Sequence, residues 1–158
     1  MEVMKNSGLS FEYRILSQDI VEINKYIGDQ LEMPIASKVL YIKTLWIVEG
    51  KARMLEHEYI NISLGRSIHD GLSLPETGNV FDWIRKNTKL QANSREEEVK
   101  IVRASAEEAE QLGVDVESEV MMVKGQAYNK ESVPFEYYEL IGVPKFLRYR
   151  SFSTYEAG

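Results

Sequence analysis

A chain of 158 residues with a formal charge of −6 and 44% apolar residues has the composition of one ordinary globular domain, able to bury roughly two-thirds of its unfolded surface. The absence of cysteine excludes disulfides, thiolate catalysis and cysteine-based zinc sites, and the acidic balance argues against a grip on nucleic-acid phosphates. No apolar run approaches membrane-spanning length and MEVMKNSG at the N-terminus has no signal-type apolar segment, so a soluble, cytoplasmic protein with no membrane partner is expected.

In chain order, Phe11 to Leu16 (FEYRIL) alternates as a strand does. Ser17 reads as an N-cap with Asp19 in the first turn, and Ile20, Ile23, Ile27 and Leu31 form a helical apolar stripe that Pro34 ends. From Val39 to Ile60 two β-branched and aromatic runs flank Glu49-Gly50-Lys51, which predicts a hairpin. Asn61 to Thr77 reads as a loop with one helical turn, after which Asn79 caps a short helix that has Asp82 near its start and Val80, Phe81, Trp83 and Ile84 on its buried side. Lys89 to Ala104 predicts a long strand, with Val99, Ile101 and Val102 as its apolar part and Glu96-Glu97-Glu98 as its solvated start. Ser105 to Glu108 is a capping box for a helix closed by Gly113. Val120 to Tyr128 and Val133 to Ile141 predict a second hairpin turning at Asn129 to Ser132, and Phe146 to Phe152 a last strand.

The first hairpin carries the candidate chemistry. A three-residue loop sets Thr44 opposite Glu56 and Trp46 opposite Met54, and alternation then puts Ile42, Thr44, Trp46, Met54, Glu56 and Glu58 on one face. A carboxylate pair beside an indole can line a pocket for a polar organic molecule. It can also be one wet face of a sheet on which Glu56 and Glu58 meet solvent, and spacing alone favours that plainer reading. His57 and His69 stand twelve residues apart, without metal-ligand spacing, and read as strand surface and loop surface.

An internal correspondence runs through this order. Leu31, Val39, Ile42 and Lys43 are matched 81 residues later by Leu112, Val120, Val123 and Lys124, which would make two αββ units sharing one antiparallel sheet.

The co-linear set of motifs resembles the effector-binding (UTRA) domain of GntR-type bacterial transcription regulators, HutC subfamily. The pieces are VLYIKTLWIVEGKARMLEHEYI, NVFDWIRKNT, EEEVKIVRASAEEAEQLGV and MMVKGQAYNKESVPFEYYEL, the last with Pro134 and Glu136 at the family's Pro-x-Glu. The resemblance spans about Phe11 to Phe152. It implies an α+β, chorismate lyase-like fold, an antiparallel sheet with flanking helices. It also implies a homodimer that binds a small-molecule effector and thereby alters operator affinity. The family's N-terminal winged helix-turn-helix has no counterpart here, since the first strand begins at Phe11. The expectation is therefore a single effector domain over residues 1–158, reaching operator DNA only through a part it lacks.

Carried over by position, the resemblance implies a ligand site of Thr44, Trp46, Glu56, Asn79 and Glu136, with no cofactor and no metal. Thr44 and Trp46 stand where the family's sugar-phosphate sensors place two arginines, which removes bidentate donors suited to phosphate. Amides at Asn79 to Phe81 can still hold an anion, and Trp46 suits an aromatic or sugar ring. Gly142 to Lys145 (GVPK) replaces the family's usual Tyr-Arg-Gly-Asp, and Arg148 and Arg150 are candidate substitutes for the missing cations. The effector expected is a sugar, phosphosugar or related metabolite. Two alternatives stay open: a chorismate lyase-like enzyme, which the missing arginines and the lack of a catalytic triad disfavour, and a stand-alone binding module.

Overall fold

The computed structural model describes residues 10–65, 79–147 and 152–154. Six strands form one antiparallel sheet in the order β1-β2-β3-β6-β5-β4, from β1 (Phe11–Glu22), β2 (Lys38–Val48), β3 (Lys51–Ile60), β4 (Ser94–Arg103), β5 (Glu119–Tyr128) and β6 (Pro134–Gly142). Helices α1 (Lys25–Leu31) and α3 (Ala106–Leu112) pack on one face, beside β6 and β3 respectively, and α2 (Val80–Asn87) packs on the other. This is the expected α+β arrangement.

The main departure from the sequence reading lies at the start. Ser17 does not cap a helix. β1 continues through Ile20 and Val21 to Glu22, paired with β2 as far as Lys38 after an irregularity between Ile15 and Ser17. β-Branched residues at 20 and 21 suit a strand edge, and the actual cap is Asn24, whose side chain accepts the Ile27 N–H at 2.9 Å. The buried helical stripe is therefore only Ile23, Ile27 and Leu31. Glu32, left-handed at φ 54°, ends the helix before Pro34 is reached.

The first hairpin reaches the predicted register by a different turn. Glu49 (φ 50°) and Gly50 (φ 76°) form a two-residue turn with both residues left-handed, so Val48 faces Lys51. An irregularity between Trp46 and Ile47 on the β3 side then leaves Arg53 as the extra residue, and Thr44 faces Glu56 and Trp46 faces Met54. The bulge supplies the residue that a three-residue loop would have supplied.

Other elements differ in burial more than in kind. β4 forms as predicted and starts its acidic run in solvent, but Val99 and Ile101 are exposed as well, on the outer edge. Phe146 lies in a turn and Leu147 outside any strand, Phe152 is exposed without regular structure, and the rest of that expected strand falls outside the described residues. A single turn, Ile62–Gly65, follows β3, and the loop beyond it also falls outside them.

Equivalent hydrogen bonds recur 81 residues apart. Ile23 N–H donates to Ser37 as Ala104 does to Ser118, and Ala36 to Ile23 as Glu117 does to Ala104. The Ser37 hydroxyl donates to the Pro34 carbonyl as the Ser118 hydroxyl does to that of Asp115. Each set ties the turn after a helix to the end of the strand before it.

Candidate functional site

Two apolar clusters occupy the α2 face of the sheet. Leu40, Ile42, Ile60, Ile62 and Val80 pack beneath α2, while Val48, Met54, Val123, Leu140 and Leu147 pack at the opposite end. Between them a polar band crosses the strands. Along β2 it is Thr44 and Trp46, along β3 Glu56 and Glu58, along β6 Glu136 and Tyr138, and along β4 Arg95 and Glu97, all on the same face by register.

Trp46 and Glu56 meet directly, the indole Nε1 donating to Glu56 Oε2 at 2.8 Å. The indole also leans on Tyr13, ring centroids 5.5 Å apart, and Tyr13 meets Phe81 edge-on at 6.1 Å. Asn79 reaches the same group: its Oδ1 accepts the Phe81 N–H at 2.8 Å and its Nδ2 donates to the Tyr13 hydroxyl. Thus one amide caps α2 and fixes the ring that supports Trp46.

The wet-face reading of the two glutamates does not survive. Glu58 is only 8% exposed; its Oε2 has no donor within reach, and its carboxyl lies against that of Glu136. Burial raises its proton affinity well above the usual carboxyl range, and the neighbouring Glu56 and Glu136 push the same way. Glu56 is raised too, by burial foremost, against the lowering effect of the Trp46 hydrogen bond. Thr44 is fully buried with an unpartnered Oγ1. Glu136 lies 3.9 Å from the guanidinium of Arg95, which is half exposed. The Arg95 guanidinium also lies 5.5 Å from the Tyr138 ring centre, and the Tyr138 hydroxyl donates to Glu97 at 2.5 Å.

Of the five residues expected to bind a ligand, Thr44, Trp46, Glu56 and Glu136 share this band, and Asn79 joins it through Tyr13. The sequence reading placed Glu58 on the right face without counting it in the site. Its importance depends on Glu136, which comes from the other hairpin. Tyr138 and Arg95 were likewise beyond local patterns. Thr77, Arg148, Arg150 and His69 fall outside the described residues.

The opposite face holds a second polar row between the clusters under α1 and α3. Lys43, His57, Glu139 and Lys124 stand side by side on β2, β3, β6 and β5. His57 is thus half-buried rather than surface; its Nδ1 is 2.8 Å from the Tyr41 hydroxyl. Burial and Lys43 lower its proton affinity. The Tyr137 hydroxyl donates to Glu139 at 2.5 Å. Each of these groups has its own partner, Lys43 in Glu107, His57 in Tyr41, Glu139 in Tyr137 and Lys124 in Tyr26, and the two lysines tie α3 and α1 to the sheet.

Family comparison bears on the whole assembly. The family model for the UTRA domain matches residues 6–145. The chain belongs to the UTRA domain family.

Solved structures agree on the fold. A GntR-family transcriptional regulator from Bacillus cereus superposes with a TM-score of 0.73 at 19% identity, over 91% of this chain and 99% of its own. The ligand-binding domain of a Bordetella bronchiseptica regulator assigned to the GntR family gives 0.76 at 18% identity, over 92% and 90%. PhnF from Mycobacterium smegmatis gives 0.77 at 13% identity, with 94% of this UTRA chain matched to 65% of that protein. Among the described residues, no helix is long and apolar enough to cross a membrane.

Proposed function

We propose that this UTRA domain is the effector-binding and dimerisation part of a bacterial GntR-type transcription regulator of the HutC subfamily. In this reading a small polar metabolite, sugar-like in size, occupies the α2 face, and its presence changes operator binding by a cytoplasmic full-length protein that carries a winged helix-turn-helix. Family membership supports it, as does the resemblance in fold to a domain described as ligand-binding. The observation that carries it is the polar band itself: buried, unmet hydrogen-bonding atoms of Thr44 and Glu58 beside the bonded pair Trp46–Glu56. Buried polar atoms are rarely left unpaired without a use for them.

The proposal is binding rather than catalysis. An enzyme acting on a dicarboxylate needs cations where this face presents Glu56, Glu58 and Glu136. Screening sugars, phosphosugars and amino-acid catabolites by thermal shift tests the reading, because a ligand of the native state raises the melting temperature by mass action. A hit whose shift disappears in Trp46→Ala and in Glu56→Gln, and which alters operator binding by the parent protein, is the expected result. Hits indifferent to both substitutions would place the effector elsewhere.

A further inference from the structure

Deepening the effector reading, on which it rests, we infer that the effector presents a protonated nitrogen (an ammonium, guanidinium or amidinium group) to Glu58, Glu56 and Glu136, with the Thr44 hydroxyl as a further hydrogen-bond partner. Three carboxyl groups on adjacent strands share one side of the sheet, and among the described residues the cation that ion-pairs with them is Arg95, 3.9 Å from Glu136 with half its side chain in solvent. Among the described residues, three acids therefore share one half-exposed ion-pair partner.

Two buried atoms show where a ligand group is wanted. Glu58 Oε2 has no donor within reach in a side chain more than nine-tenths buried, its carboxyl lying against that of Glu136, and Thr44 Oγ1 has no partner in a side chain with no exposure. Thr44 stands directly opposite Glu56, so both open positions face the same patch. An ionised carboxylate can only accept hydrogen bonds, which calls for a donor-rich partner. Clustered acids in a desolvated site call for positive charge and repel phosphate or carboxylate. The Trp46 ring alongside adds an aromatic surface of the kind that attracts cations.

Among the described residues, no three acidic or histidine side chains converge as metal ligands, which favours an organic cation. The raised proton affinities of Glu58 and Glu56 give the exchange its balance. These carboxyls hold their protons to higher pH than ordinary ones do, and over that range an arriving cation displaces a proton into solvent. Affinity for such a ligand consequently rises with pH until those carboxyls are fully ionised.

Matched trios test this on the intact chain: glucosamine, glucose and glucuronate; putrescine, butanediol and succinate; tryptamine, tryptophol and indoleacetate. Within a trio that binds, the cationic member should bind roughly tenfold or more tightly than its neutral partner, and calorimetry in two buffers should show proton release. Glu58→Gln and Glu136→Gln should each erase that preference while circular dichroism shows an intact fold. Equal or tighter binding of neutral or anionic members through Trp46 and Glu56 overturns the cation inference and leaves the effector reading standing. So does a wider-screen hit lacking a cationic nitrogen, or a preference that survives both Gln variants. Should no compound in either screen bind through these residues, the effector site itself is refuted and the inference goes with it.

Discussion

Lys43 ion-pairs with Glu107, the second residue of α3, and 81 residues later Lys124 donates to the hydroxyl of Tyr26, the second residue of α1. Each helix is thus tethered to a lysine on the strand next to a sheet edge, but only one tether is an ion pair. Glu107 is largely exposed, so Coulomb attraction there is heavily screened. Lys43→Met is expected to change stability by less than about 1 kcal/mol. It should nevertheless raise the proton affinity of His57, which Lys43 suppresses. Titrating the His57 ring by NMR in both proteins measures that change.

His57 also makes stability pH-dependent. Its proton affinity is lower in the folded state than the ordinary value of 6.5, so the unfolded chain binds the proton more readily. The stabilising contribution is complete above pH 6.5 and declines as pH falls through the folded value. In His57→Gln the acid-side decline should shrink, as read by urea denaturation at steps from neutral pH downward.

Glu58 has the opposite sign. Its proton affinity is raised above the ordinary carboxyl value of 4.5, so the folded state holds the proton longer. Its favourable contribution is complete below that value and is lost as pH climbs through the folded one. Glu58→Gln removes the titration while keeping size and hydrogen-bonding capacity. At pH 8 this variant is expected to be more stable than the wild type, with the difference closing near pH 4. Paired denaturation curves at the two pH values decide the matter; a destabilised variant at pH 8 would mean that Glu58 is better satisfied than its geometry indicates.

These opposed groups show where sequence reading reaches and where it stops. Alternation along β2 and β3 put Trp46 and Glu56 on one side because the Arg53 bulge supplies the residue by which the two-residue Glu49-Gly50 turn falls short of the expected three-residue loop. The helix boundary failed at Ser17 because Ile20 and Val21 fit a helical stripe and an edge strand equally well, and only pairing with β2 separates the two. Whether Glu58 meets solvent depends on β6, which brings Glu136 and Tyr138 beside it from far along the chain. The capping box at Ser105 and the left-handed Gly113 were legible because both are complete within one helix. Exposure of Val99 and Ile101 was not, since β4 becomes an edge only once the sheet order is set.

Gly125 shows the same dependence on partners. A Cβ there would come within 2.6 Å of the Tyr138 hydroxyl oxygen and 2.8 Å of the Glu96 carbonyl. The Tyr138 phenol lies across the glycine to reach Glu97. Gly125→Ala should displace that ring and cost about 2 kcal/mol, as overpacking does. Adding Tyr138→Ala removes the obstructing ring, so Gly125→Ala should cost less in that background. A double-mutant cycle by chemical denaturation reports the coupling.

Asn79 serves α2 in two ways that substitution can separate. Its Oδ1 caps the helix through the Phe81 N–H and its Nδ2 reaches Tyr13. Asn79→Ala removes both and should cost about 1 kcal/mol, the usual worth of an N-cap. Asn79→Asp keeps the capping acceptor, can take the Tyr13 hydroxyl as donor, and places its charge at the favourable end of the helix, so stability should hold near the wild-type value. Tyr13→Phe removes only the tie to β1 and leaves the cap in place. If the tie matters for Trp46, then Trp46 fluorescence, separated from that of Trp83 in a Trp83→Phe background, should shift in Tyr13→Phe and Asn79→Ala but not in Asn79→Asp. A shift confined to Asn79→Ala would show that the cap alone controls how α2 meets the indole.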